Sequence, residues 1–208
     1  MSIWFVPRDA AARSMGADAV ACALEARGES VIRNGSRGML WMEPLVERAE
    51  ERHGPRVGWS NVSAGQIDAG LPDEQSDNFM GAVEEVDYLA KQNRWIYERV
   101  GITDPVDPED YVAHGGLTGL KNALAMSGGD VVQAVTDSGL RGRGGAGFPA
   151  GIKWRTVADQ PPAPHAGESQ NAPAHKYICV NADEGDSGTF ADRMLMEGDP
   201  FCLLEGMT

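Results

Sequence analysis

The sequence predicts an α/β protein built in two parts, and three observations carry that prediction. Strand-like and helix-like segments alternate through residues 1–72. Farther on, a glycine-rich run, GLRGRGGAGFP, leads into a helical pattern. Finally, a short apolar run, KYICV, opens directly into the polar loop NADEGDSGTF.

In the first part, residues 2–6 read as a strand. Asp9 is placed to cap a helix running to about Arg27, with Ala12, Met15, Ala19, Val20, Ala23 and Leu24 as its apolar stripe. Residues 31–33 are strand-like and run into the glycine turn NGSRG. Residues 39–47 form an apolar-rich run interrupted at Pro44, and 56–59 suggest a further strand, giving a β-α-β-β unit. Residues 61–78 are polar, beginning as a short helix and ending as a linker.

The second part, 73–208, opens with a predicted amphipathic helix over 80–100. Val83, Val86, Leu89, Ala90, Ile96 and Tyr97 fall near one face, and Gly101 closes it. A proline turn over 104–110 precedes two predicted helices, 111–126 and 130–137. The glycine loop follows, and Pro149 is well placed to open a helix to about Ala158. Residues 160–175 hold four prolines and read as a solvated loop. KYICV, residues 176–180, is a buried-type strand, and a last helix starts near Asp192. A parallel sheet covered on both faces needs several strands. With one clear strand, the second part is expected to be the beginning of a larger domain.

Composition narrows the function. Thirty-one acidic residues face 18 basic ones, for a net charge of −13. That argues against nucleic acid and against an anionic membrane surface. No apolar run approaches the ~20 residues of a spanning helix, and the N-terminus lacks the pattern of a secretory signal. Cys22, Cys179 and Cys202 form no CxxC pair, which fits a reducing, cytoplasmic setting with the cysteines in the core. His53, His114, His165 and His175 show no metal-binding spacing and read as surface or core histidines, so no metal ligand is expected.

Two loops carry candidate chemistry. In RGRGGAGFPAGIKW, glycines at 142, 144, 145, 147 and 151 permit positive φ and let backbone N–H groups approach a ligand. A glycine loop entering a helix N-terminus favours an anion, Arg143 and Lys153 add positive charge, and Phe148 offers a flat apolar face. The loop follows a predicted helix, so it is not the usual dinucleotide fingerprint, and alone it would also suit a flexible turn. In NADEGDSGTFADR, Asn181 can both donate to and accept from a ring edge. Asp183 and Glu184 suit hydroxyls or an N–H edge rather than phosphate.

With QNRWIYERVGITDP, DYVAHGGLTGLKNAL and DPFCLLEGM, these loops resemble, in order and spacing, the family of FMN- and NADH-binding flavoprotein subunits of complex I-type NADH dehydrogenases. That family includes diaphorase subunits of NAD-reducing hydrogenases and beta subunits of NAD-dependent formate dehydrogenases. The resemblance implies the first part of a Rossmann-like FMN-binding domain. Gly142, Arg143, Gly144, Gly145, Ala146, Gly147 and Phe148 would wrap FMN beside NADH, Lys153 would lie near the FMN phosphate, and Asn181, Asp183 and Glu184 would lie around the isoalloxazine. Hydride exchange between NAD and FMN is cofactor chemistry, so no catalytic acid, base or nucleophile is expected. The family's [4Fe–4S] cysteine motif would lie in a missing C-terminal part. The first part, through VIRNGSRGMLWMEPLVE, resembles a thioredoxin-like [2Fe–2S] ferredoxin in which Ser36 and Leu40 stand at two cysteine positions. Ligation there needs thiolates. The implied fold is therefore a thioredoxin-like domain (1–72) lacking cluster cysteines, kept for docking, ahead of helices and the FMN-binding part. That fusion favours a formate dehydrogenase beta subunit. Its partners would be an iron–sulfur electron-transfer subunit and a molybdenum formate dehydrogenase subunit, with no nucleic acid and no membrane insertion. The hydrogenase diaphorase, the complex I flavoprotein and a non-catalytic docking fragment are the alternatives.

Overall fold

A computed structural model describes residues 2–164, 169 and 174–208. His165 and part of the proline-rich stretch 160–175 lie outside the described residues. The protein is mixed α/β, with a five-stranded sheet and helices. It forms two compact units, Met1–Gly116 with Phe190–Leu204, and Leu117–Thr189 with Glu205–Thr208.

The first unit begins with β1 (Ile3–Phe5), α1 (Ala10–Ser14), α2 (Ala17–Ala26) and β2 (Ser30–Ile32). It continues with β3 (Val46–Ala49), β4 (Val57–Trp59), α3 (Ala64–Ala69), β5 (Phe79–Ala82) and α4 (Asp87–Ala90). The sheet order is β2-β1-β3-β4-β5; β1 pairs β2 in parallel, and the remaining pairings are antiparallel. The expected strands at 2–6, 31–33 and 56–59 are present as β1, β2 and β4, and the sheet gains two more, β3 and the edge strand β5. Asp9 caps α1 by accepting from the N–H groups of Ala11 and Ala12. The single helix expected to run to Arg27 breaks at Met15-Gly16, where Gly16 adopts φ 103°.

One face of the sheet packs Trp4, Val6, Val46 and Trp59 against Ala12, Val20, Leu24 and Ile67. Trp4 and Trp59 lie 5.6 Å apart, and each indole N–H is satisfied, by Glu29 and by the Asp73 carbonyl. Strand alternation turns Phe5 and Glu47, paired across β1 and β3, to the opposite face. There Glu47 is fully buried. It accepts from Arg37 through Nε at 2.8 Å and Nη2 at 2.9 Å, and from Arg56 Nη1 at 3.1 Å. Arg56 also donates to the carbonyls of Gly101 and Ile102 and stacks 3.5 Å over the Phe5 ring. Burial pushes the Glu47 carboxyl up, but the two guanidinium groups outweigh it and hold the group below its ordinary value.

The helix predicted over 80–100 is not formed. Residues Phe79–Ala82 instead complete the sheet as β5, and Gly81 at φ 77° is incompatible with a helix. Val83 and Leu89 reach a second buried cluster with Met39 and Leu45 by way of a 3-10 turn and the short α4. Their helical spacing reflects those turns. β5 and the segment through Thr103 belong to the first unit, which runs to Gly116 before its return at Phe190.

The helix predicted over 111–126 is two, α5 (Pro108–Ala113) and α6 (Thr118–Leu124). Gly115 between them takes φ 83°, and a Cβ on Gly116 would sit 2.2 Å from the Tyr111 ring. In the second unit the main chain at the start of α6 donates to the Glu205 carboxylate through Leu117 and Leu120. The expected helices at 130–137 and from Pro149 appear as α7 (Gly128–Asp137) and α8 (Ala150–Asp159). They pack closely at Gly151, where a Cβ would meet Thr136 Oγ1 at 2.5 Å. The helix expected near Asp192 is α9 (Ala191–Gly198), followed by α10 (Pro200–Met207).

Two further expectations are corrected. Residues 176–180 do not form a buried strand: Tyr177 is 61% and Ile178 65% exposed, and no strand among the described residues pairs with them. An apolar run becomes a buried strand only beside neighbouring strands. The cysteines are not in the core either. Cys22 and Cys179 are exposed and Cys202 is half-buried, Cys22 because it lies on the outward side of α2.

Removing Glu47 would strip the buried Arg56 guanidinium of its carboxylate partner and leave the buried Arg37 with Glu84 alone. We expect Glu47→Ala to cost about 3–5 kcal/mol in urea unfolding; a loss below ~1 kcal/mol would show that the network is not needed.

Candidate functional site

Both candidate loops lie in the second unit. The glycine loop is a hairpin-like excursion between α7 and α8. Its ends are tied by the Gly142 N–H to the Phe148 carbonyl (2.9 Å), the Ala150 N–H to the Leu140 carbonyl (2.8 Å) and the bridge between Arg141 and Pro149. The Arg141 guanidinium donates to the Gly147 carbonyl at 2.8 Å, which holds the tip. Gly145 (φ 107°) and Gly147 (φ 59°) take the left-handed backbone that glycine permits. A Cβ on Gly144, Gly145 or Gly147 would meet nothing within 4 Å, so this backbone faces open space. Arg143 and Ala146 are exposed with it.

The loop ends where α8 begins. Pro149 stands at the N-cap, not at the first helical position, and supplies no side-chain cap. The helix therefore presents main-chain donors and the positive end of its dipole there. Lys153, one turn in, lies 5.6 Å from the centre of the Phe148 ring, and that ring is 45% exposed. An ammonium, a flat apolar ring and open backbone are thus gathered at one helix end. This donor set fits an aromatic cofactor carrying a phosphate.

At the other end of α8, the Lys176 ammonium donates to the carbonyls of Val157 (2.7 Å) and Ala158 (3.0 Å). From that anchor the chain runs to Asn181, whose Oδ1 accepts from the Asp183 N–H at 3.0 Å. Its amide NH2 remains a donor, while Glu184 turns the chain at φ 51°. Thus Phe148 and Lys153 are brought together directly. Asn181, Asp183 and Glu184 form a separate local turn.

The Ser36–Leu40 region of the first unit opens on a cleft of about 300 Å³ lined by Asp9, Ser14, Ser36, Leu40, Arg193 and Glu197, among others, and by no cysteine. These residues do not fit an iron–sulfur cluster. Instead, the buried Ser36 hydroxyl donates to Glu43 Oε1 at 2.7 Å, and Glu43 Oε2 accepts from the Leu45 N–H at 2.9 Å. Burial pushes the Glu43 carboxyl up to about 7, against those two hydrogen bonds and with help from Asp9 and Glu47. The one trace of this buried acid in the sequence is a carboxylate inside an apolar run.

Comparison with known proteins finds similarity over the part of the chain that holds both loops. Residues 135–208, which include both loops, match the family described as the Nuo51 FMN-binding domain. Over 117 residues the chain is 44% identical to the HndC component of the NADP-reducing hydrogenase of Solidesulfovibrio fructosivorans, covering 56% of this chain and 21% of that one. It is 46% identical over 98 residues to an NADH-quinone oxidoreductase subunit of Rhizobium meliloti (47% and 21% covered). Against the corresponding NADH-quinone oxidoreductase subunit of Escherichia coli it is 41% identical over 104 residues (50% and 21% covered). The chain spans about a fifth of the length of these curated relatives. A crystal structure of NAD+-reducing [NiFe]-hydrogenase in the air-oxidized state aligns over 99% of this chain and 34% of its own, at 22% identity and a TM-score of 0.38, too distant to bear on the fold. No helix among the described residues is long and apolar enough to cross a membrane.

Glu43 gives a pH test. Because folding raises its carboxyl from an ordinary 4.5 to about 7, the folded state holds the proton more tightly, and stability falls as pH rises between those values. Glu43→Gln should abolish that slope and be roughly 1–3 kcal/mol more stable than the parent at pH 8, with little difference near pH 4.5. Chemical unfolding across pH checks this; a parallel pH dependence in both proteins would refute it.

Proposed function

We propose that this chain works as part of an NAD(H)-reactive flavoprotein subunit that exchanges electrons among NAD(H), FMN and iron–sulfur clusters. The observation that carries the reading is that the FMN-binding family match spans both loops. When bound, FMN supplies the chemistry, accepting a hydride from NADH and releasing electrons singly, or the reverse. The protein's part is binding and orientation. Gly142, Gly144, Gly145, Ala146 and Gly147 bring main-chain donors close, Arg143 and Lys153 oppose the phosphate's charge, and the exposed Phe148 face stacks a ring. The Asn181 amide donates to the ring edge of the flavin, and Asp183 and Glu184 accept from hydroxyls or ring N–H groups.

The thioredoxin-like first part serves, on this reading, as a docking body. A degenerate body of this kind ahead of the flavin part supports a cytoplasmic NAD-dependent formate dehydrogenase, with an iron–sulfur subunit and a molybdenum subunit as partners. The [4Fe–4S] cluster would belong to a portion of the protein outside these 208 residues. A second reading is a hydrogenase diaphorase, favoured by the 44% identity to the HndC component. Co-purification with metal analysis separates them: molybdenum supports the first and nickel the second.

The protein purified in its native assembly should show flavin absorbance that NADH bleaches; a colourless preparation would sink the proposal. Lys153→Ala should weaken FMN retention by about 1–3 kcal/mol, the worth of a charge-assisted hydrogen bond. Unchanged flavin content in that variant would remove Lys153 from the site.

A further inference from the structure

The first unit also holds a cluster that the spacing of its histidines does not reveal. His53 sits in the turn between β3 and β4, and Asp110 and His114 lie one turn apart at α5. One ring nitrogen from each histidine and one carboxylate oxygen of Asp110 lie within 4.8 Å of one another. Asp110 Oδ1 is 3.8 Å from His53 Nδ1 and 3.4 Å from His114 Nδ1, and the two imidazoles meet edge to face at 4.8 Å.

The two oxygens of Asp110 have different environments. Oδ2 accepts from the Asp104 N–H at 2.8 Å and pairs with Arg52 Nη2 at 3.2 Å. Oδ1 is buried and has no hydrogen-bond partner, and the residue as a whole is only 5% exposed. An orphaned carboxylate oxygen in a folded interior is costly and calls for an explanation. Here it faces two imidazoles, one half-exposed and one partly buried, so the position is open to an ion from solvent.

We propose that His53, Asp110 and His114 bind a divalent transition-metal ion of the zinc type. Two imidazoles and one carboxylate are a borderline-soft set suited to Zn²⁺, Co²⁺ or Ni²⁺, and unlike the all-oxygen sets of Ca²⁺ or Mg²⁺. Three protein ligands leave a fourth position for water. His114 Nδ1 lies 2.9 Å from the Asp110 main-chain carbonyl. Ligation through Nε2 would keep that contact as the outer-shell bond that fixes the tautomer. The Arg52 guanidinium beside the cluster is engaged by Asp107 at 2.6 Å, which offsets part of its repulsion of an incoming cation. The ion would fasten the β3–β4 turn to α5.

Cobalt(II) is the probe, because tetrahedral coordination by these ligands gives intense visible d–d bands. Titrating the 208-residue chain with Co²⁺ should produce those bands at one equivalent. Zn²⁺ should displace them and raise the thermal midpoint. His53→Ala and His114→Ala should each weaken Co²⁺ binding about tenfold or more and abolish the Zn²⁺-dependent thermal shift. His53 is half-exposed, so its variant should fold like the parent, and circular dichroism of the metal-free protein verifies that. Absence of the bands, or equal binding by both variants, would overturn the assignment. FMN content does not enter this readout, so its failure and that of the flavoprotein reading are distinguishable.

Discussion

The first unit depends on a single buried ionic contact. Glu47 lies on a central strand with its carboxylate on the side of the sheet away from the tryptophans, and two guanidinium groups converge on it. A lone carboxylate there would be intolerable, and so would the buried Arg56 guanidinium without it. Together they satisfy one another and reach outward. Arg37 also pairs with Glu84 after β5, and Arg56 fixes the carbonyls at Gly101 and Ile102. Gly101 has to be glycine in this arrangement: its φ is 83° and a Cβ would lie 2.3 Å from Arg37 Cδ. The irregular segment after α4 is thus held to the sheet by charge and hydrogen bonds more than by apolar packing.

That arrangement explains what could and could not be read from the sequence. Local signals held where one element decides its own state. Asp9 as a cap, the strand at Val57–Trp59 and the helices following Ser127 and Pro149 are examples. They failed where a distant partner decided. Residues 79–90 carry apolar side chains at helical intervals, yet the open edge of β4 captured the first four as a strand. Gly116, read as part of a continuous helix, marks a break because Tyr111 fills the space a side chain would need. KYICV is strand-like in composition, but composition supplies no neighbours.

The glycine loop was legible because its chemistry is contained in consecutive residues. The pairing of Phe148 with Lys153 follows from their spacing across the start of α8, where five residues span little more than one turn. The buried acid at Glu43 and the histidine cluster were not legible in the same way. Each is assembled from residues distant in the chain or on different elements, and only the fold brings Ser36 to Glu43 or His53 to Asp110.

Lys176 sets a mechanical relation between the two loops. By gripping the last carbonyls of α8, it fastens the segment leading to Asn181 to one end of a ten-residue rod whose other end carries the glycine loop. Such a rod is about 15 Å long and stiff along its axis. The distance between the glycine loop and the point where the asparagine segment is anchored is therefore set by the length of one helix.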